Sequence, residues 1–98
     1  MIRLHCQAEA EALDAHLHYL GQSESAAARF QASLHAAFEL ILESPVRWVK
    51  DERGFHRYKL LEFPYLVIYR QEREDLFVVA IAHGSRDPDY WKDRRQAD

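Results

Sequence analysis

Six side chains able to do chemistry stand within nine positions near the end of the chain: His83, Ser85, Arg86, Asp87, Tyr90 and Trp91. Histidine is the side chain suited to serve as acid or base close to neutral pH, which makes His83 a candidate for either role. Arg86, with Arg57, Lys59 and Arg70 earlier in the chain, offers positive charge to stabilise an anion, and Tyr90 offers a ring on which a planar group can stack. Ser85 beside His83 suggests nucleophilic catalysis. Loop neighbours seldom place base and hydroxyl correctly, however, and no glycine-flanked elbow surrounds the serine, so it is given no role. Each residue also has a structural use. His83 can bond a backbone carbonyl with Asp87 or Asp89 as partner, and Arg86 can pair with Asp87, Asp89 or Glu62, or form a buried bidentate pair. Trp91, laid onto a sheet after Pro88, reads as core, while Tyr90 stays open between packing and recognition.

The element that must hold this cluster still is the strand before it, Leu76 to Ala82, the strongest strand signal in the chain. Strict alternation turns Phe77, Val79 and Ile81 one way and Leu76, Val78, Ala80 and Ala82 the other, so both faces are apolar and the strand reads as central. Two more strands precede it, Phe55 to Leu61 and Tyr65 to Arg70, with links short enough for antiparallel hairpins. Pro64 fixes the chain where it enters the second of these, and Phe63 and Tyr65 pack the sheet edge. In the first, Phe55, Arg57, Lys59 and Leu61 share a face, which sets two cations side by side.

The first half of the chain supplies the packing partner. Ile2 to Cys6 alternates as a short strand, and from Ala8 to Leu20 the residues Ala10, Leu13, Leu17 and Leu20 recur at helical spacing, with Gly21 as a left-handed stop. Ser23 or Ser25 caps a second helix, striped by Ala27, Phe30, Leu34, Ala37, Phe38 and Ile41, which Pro45 ends. The short link between the helices implies an antiparallel hairpin with both stripes turned to a shared core. A loop from Ser44 to Gly54 follows, pinned by Trp48. The expected fold is α+β: a helical hairpin on one face of a mostly antiparallel sheet, in the order β-α-α-β-β-β, with a short C-terminal turn or helix from Asp87. The opposite sheet face has no obvious lid apart from that turn, which predicts completion by a partner polypeptide.

Composition narrows the class. The 98 residues fit one domain spanning 1–98, and 48% apolar with 30% charged residues is ordinary globular usage. A formal charge of −3 disfavours nonspecific grip on a phosphate backbone, although Arg57, Lys59, Arg70, Arg86, Lys92, Arg94 and Arg95 leave room for a local basic face. One cysteine allows no internal disulfide, the start has no secretory pattern, and no apolar run nears the roughly 18 residues of a membrane span. The expected location is therefore cytoplasmic, without membrane contact. The six histidines show no shared-face spacing, so neither metal nor cofactor is expected; His35 and Glu39 read as a solvent-facing pair.

Taken together, the strand, the helix pair ending at Pro45, Arg57 entering the next strand, the Phe63–Tyr65 "FPY" and the terminal His83, Arg86, Pro88, Tyr90 and Trp91 resemble the RelE/ParE family of bacterial toxins over almost the whole chain. The resemblance implies the toxin of a type II toxin–antitoxin module of the plasmid-stabilisation kind, wrapped by the extended, acidic, amphipathic tail of a cognate antitoxin in a hetero-oligomer. It also implies one of two actions: inhibitory binding to a protein such as DNA gyrase, or metal-independent cleavage of messenger RNA on the ribosome. For cleavage the candidates are Arg57, His83, Arg86 and Tyr90. For contact with target or antitoxin they are Arg57, Lys59, Arg70, His83, Arg86 and Tyr90. Acidic net charge and the "HGSRDPDYW" ending favour the ParE-like binding action. A non-toxic homologue that only binds its antitoxin and represses the operon is the third reading.

Overall fold

The structure, a computed structural model, describes residues 1–94; Arg95, one of the expected second-half cations, lies outside the described residues. Caps and breakers set the helices. Helix α1 spans Cys6–Leu20, and His5 caps it by accepting the Gln7 N–H at Nδ1, 3.1 Å away. Helix α2 spans Glu24–Glu43, starts where the Ser23 hydroxyl accepts the Ala26 N–H at 2.9 Å, and ends just before Pro45. The strands are β1 (Ile2–Leu4), β2 (His56–Lys59), β3 (Tyr65–Glu72) and β4 (Asp75–His83). They form one sheet ordered β1-β4-β3-β2, in which β1 runs parallel to β4 and the other pairs are antiparallel. The α+β order read from the sequence holds, with β4 in the interior of the sheet.

Four local expectations are corrected. The first strand stops at Leu4, and Cys6 already opens α1. Gly21 is right-handed, at φ −63° and ψ −22°; the chain turns because the N–H groups of Gln22 and Ser23 both bond the Tyr19 carbonyl. The left-handed glycine is Gly54, at φ +90°, in the turn leading into β2.

The third correction is the face of α1. Leu13, Leu17 and Leu20 lie outside, 56, 52 and 44% exposed, whereas Ala8 and Ala15 are buried and Glu11, Ala12, His16 and Tyr19 are half-buried. Alanines let the helix sit close to its neighbours, and rings fill the space beneath. Tyr19 stacks on Phe30 at 5.4 Å, and Phe30 meets Phe63 edge-on at the same distance. Leu34, Ile41, Val67, Tyr69 and Val78 complete this front core.

The fourth is the alternation along β4. Ile68 pairs with Ala80 but Tyr69 pairs with Val78, so Val79 is an extra residue, a β-bulge that reverses the alternation. Val79 and Ala80 consequently both belong to the rear core with Phe77 and Ala82, while Ile81 faces the helices with Leu76 and Val78.

The bulge bears on the rear face, which is not open. Trp91, wholly buried, packs there with Phe55, Ile68, Phe77, Val79, Ala80 and Ala82, and Phe55 meets its ring edge-on at 4.9 Å. The run of turns from Pro88 to Asp93 thus acts as the lid, and the expectation that another polypeptide must complete this face is overturned. Among the described residues, no helix is long and apolar enough to cross a membrane.

Candidate functional site

The expected cluster sits where β4 outruns its neighbour. The β1 pairing ends with the His5 N–H on the Val78 carbonyl, and beyond it side chains take over: Arg94 Nη1 donates to the Val79 carbonyl and the Ile81 N–H donates to Glu11 Oε1, both at 3.0 Å. Glu11 is the hub. Its two oxygens accept both terminal nitrogens of Arg94 at 3.0 Å, and Oε2 also accepts the Tyr90 hydroxyl at 2.6 Å. The Glu11 and Arg94 side chains are only 14% and 11% exposed, so this two-pronged, charge-assisted pair is largely shielded from water. Glu11 was not among the expected site residues. Its signal is a carboxylate between Ala8 and Ala15, on the face of α1 opposite the leucine stripe.

This hub fixes Tyr90 and Arg86. Burial first, then the hydrogen bond to Glu11 and its charge, push the Tyr90 phenol far above its ordinary range. Arg86 lies over the Tyr90 ring at 3.8 Å with Nη1 3.8 Å from Glu11, and Arg94 lies 5.1 Å from the same ring. The anticipated Arg86 partners are engaged elsewhere: Asp89 and Glu62 pair with Arg53 and Arg29, at 2.9 and 3.7 Å, and Asp87 accepts the Asp89 N–H.

At the end of β4, His83 Nδ1 accepts the Ser85 N–H at 3.1 Å and lies 2.7 Å from the Ser85 hydroxyl. Among the described residues, the expected bond to a backbone carbonyl, with Asp87 or Asp89 in support, is not made. Accepting at Nδ1 places the proton of the neutral ring on Nε2. Serine and histidine do meet, contrary to expectation, yet no carboxylate among the described residues orients the ring from Nε2, as a nucleophile–base pair requires.

The remaining cations separate into two groups. Arg57 and Lys59 share the rear face as expected. Arg57 stands 3.6 Å from Asp51 and 5.7 Å from the Trp91 ring centre, while Lys59 donates to the Leu60 carbonyl at 3.3 Å. Arg57, His83, Arg86 and Trp91 line one narrow cleft of about 50 Å³. Arg70 is not part of it: it sits at the far end of β3, ion-paired with Glu72 and 5.0 Å from the Phe55 ring. Near Arg57, burial alone would raise the Asp51 carboxyl, but the N–H groups of Phe55 and Arg53 and the Arg53 guanidinium hold it below its ordinary range.

A sequence model of the family described as the ParE toxin of the type II toxin-antitoxin system parDE matches residues 2–88. No curated protein matches the chain. The family match takes in Glu11, Arg57, His83 and Arg86 and stops at Pro88, so Trp91 and the Tyr90 and Arg94 partners of Glu11 lie beyond it.

Proposed function

The chain belongs to the ParE toxin family of type II toxin–antitoxin systems, and from that premise we propose that it arrests growth by binding a protein target such as DNA gyrase, and that a cognate antitoxin neutralises it. The observation carrying the binding action is how the candidate cleavage residues are used. A base needs a free lone pair, and the Nδ1 lone pair of His83 is directed to Ser85. An acid needs a proton it can release near neutrality, and the Tyr90 phenol is held protonated against Glu11. Arg86 rests on Tyr90, and Arg57 leans on Asp51 and Trp91. These groups build the C-terminal end of the sheet, and the net charge of −3 supports protein recognition over a phosphate backbone.

With the rear face closed by Trp91, the apolar surface offered to an antitoxin tail is on the helical side. A groove of about 260 Å³ runs between α2 and β2, lined by Ala32, Ala36, Leu40, Tyr58 and Leu61 and bounded by Arg29 and Glu62. The start of the β2 edge is covered by the Arg57 N–H on the Val49 carbonyl, so an added segment would meet the groove beyond it.

One observation favours RNA cleavage as second reading: Arg57, His83 and Arg86 do share a cleft. Expressing the chain alone in a bacterial host while mapping transcript ends and gyrase-linked DNA breaks separates the two. Breaks without transcript cuts are expected. Cut transcripts that vanish with His83→Ala would overturn the binding reading, and unimpeded growth would replace both with the non-toxic homologue.

A further inference from the structure

A second cleft, of about 390 Å³, opens on the opposite side of His83, between α1 and the end of β4. Four rings line it, each edge-on to the next: His18 to Tyr19 at 5.0 Å, Tyr19 to Tyr65 at 6.5 Å and Tyr65 to His83 at 5.2 Å. Two carboxylates line it as well, and their situations differ. Glu11 is taken up by Arg94, Tyr90 and the Ile81 N–H, whereas Asp14, one turn further along α1, has no hydrogen-bond or ion-pair partner among the described residues. Among the described residues the one guanidinium lining the cleft is Arg86, and it is held at the Glu11 end by Glu11 and the Tyr90 ring.

A corner of aromatic rings beside an uncommitted carboxylate is the chemistry that receives a planar cation. We propose that this cleft anchors an arginine side chain presented by a protein partner, its guanidinium lying against Tyr65 and Tyr19 and donating two N–H groups to Asp14. The volume is near the lower end of ligand pockets, about 300 Å³ and upward, which suits one long side chain. A phosphate would meet Asp14 and Glu11. The rings also flank Asp14 closely enough that its charge, after burial and Tyr19, raises the Tyr65 phenol. The proposal goes beyond the growth-arrest reading and uses only its premise that the partner is a protein.

The test is an NMR titration of the whole chain with N-acetyl-arginine amide, N-acetyl-lysine amide and N-acetyl-citrulline amide, the last having arginine's shape without its charge. Saturable shifts at Asp14, Tyr65 and His83 are expected with arginine, weaker ones with lysine and none with citrulline. Asp14→Asn, at an exposed position that leaves the fold intact, weakens arginine binding about tenfold, and Tyr65→Phe, which keeps the ring, retains it. Equal binding of citrulline, shifts mapping to another surface, no saturable shift, or an unchanged affinity in Asp14→Asn overturns the proposal. Lysine binding as tightly as arginine overturns the guanidinium assignment. Growth arrest by a chain that fails this titration sinks the cleft alone; a chain that passes it and arrests nothing sinks the activity alone.

Discussion

The two faces of the sheet are closed by different means. On the front, two helices lay down a broad layer of apolar side chains, and Phe30, Phe63, Tyr19 and Tyr65 interlock ring to ring. On the rear, Trp91 is the chief lid, and the turns that carry it are tied to the front by a polar latch, Glu11 to Arg94 and Tyr90, reaching around the β4 edge. The difference teaches where each face is vulnerable. Stability in front is spread over many contacts, so no single partner is indispensable; behind, it is concentrated in one ring and one carboxylate.

Trp91→Ala is therefore expected to have the largest effect, a loss of about 3–5 kcal/mol in denaturant unfolding, as for other large buried rings. Hydrogen exchange should then quicken at Val79 to Ala82 before it quickens in α2; simultaneous loss of protection would show that the two faces are one cooperative unit and break the comparison. Glu11→Ala comes next. It strands the Arg94 charge, the Tyr90 hydroxyl and the Ile81 N–H together, at roughly 2–3 kcal/mol given that the pair keeps some water contact. Glu11→Gln, which keeps an acceptor, should lose less.

Alkaline titration compares the faces directly. Burial pushes the Tyr69 phenol in front to about 12, and the Tyr90 phenol behind moves in the same direction. Both keep their protons in the folded chain where the unfolded chain has lost them. The stability they contribute is thus complete below about pH 10 and falls as pH rises past it, for Tyr69 up to about 12. Tyr69→Phe and Tyr90→Phe should each flatten part of that fall in unfolding midpoints measured from pH 9 upward. Asp51, beside the rear face, works oppositely. Its depressed folded pKa contributes stability above the ordinary carboxylate value of about 3.9 that is lost as pH falls below it, and Asp51→Asn should remove that share. The smallest effect belongs to Leu17→Gln on the outer face of α1: under about 0.5 kcal/mol, because Leu17 is 52% exposed. A large loss there would mean that the leucine row packs against something.

The element order was legible because period and punctuation are local. Pro45 and Ser23 bound α2, and the runs from Tyr65 and Leu76 are strands on composition alone. The face of α1 was not legible, because a stripe of leucines and a stripe of alanines are both regular. Only the closeness of the neighbouring elements favours the small side chains, and that choice hid Glu11. The bulge at Val79 was equally silent, since no glycine marks it. Of the expected site residues, Arg57, His83 and Arg86 do converge, whereas Arg70 on the same strand system lies at its other end, a matter of register rather than of residue type.

By itself the sequence determined the α+β architecture, the burial of Trp91 and the gathering of polar groups after β4, all consequences of patterns a few residues long. Tertiary structure alone decided which face of α1 is inward, that the rear of the sheet is closed by its own chain, and that Glu11, some seventy residues before Ile81 and eighty before Arg94, joins them. The physical reason is that hydrophobic burial fixes which segments fold inward, while partners for a buried charge or an unpaired edge amide are found only where the packed chain brings them together.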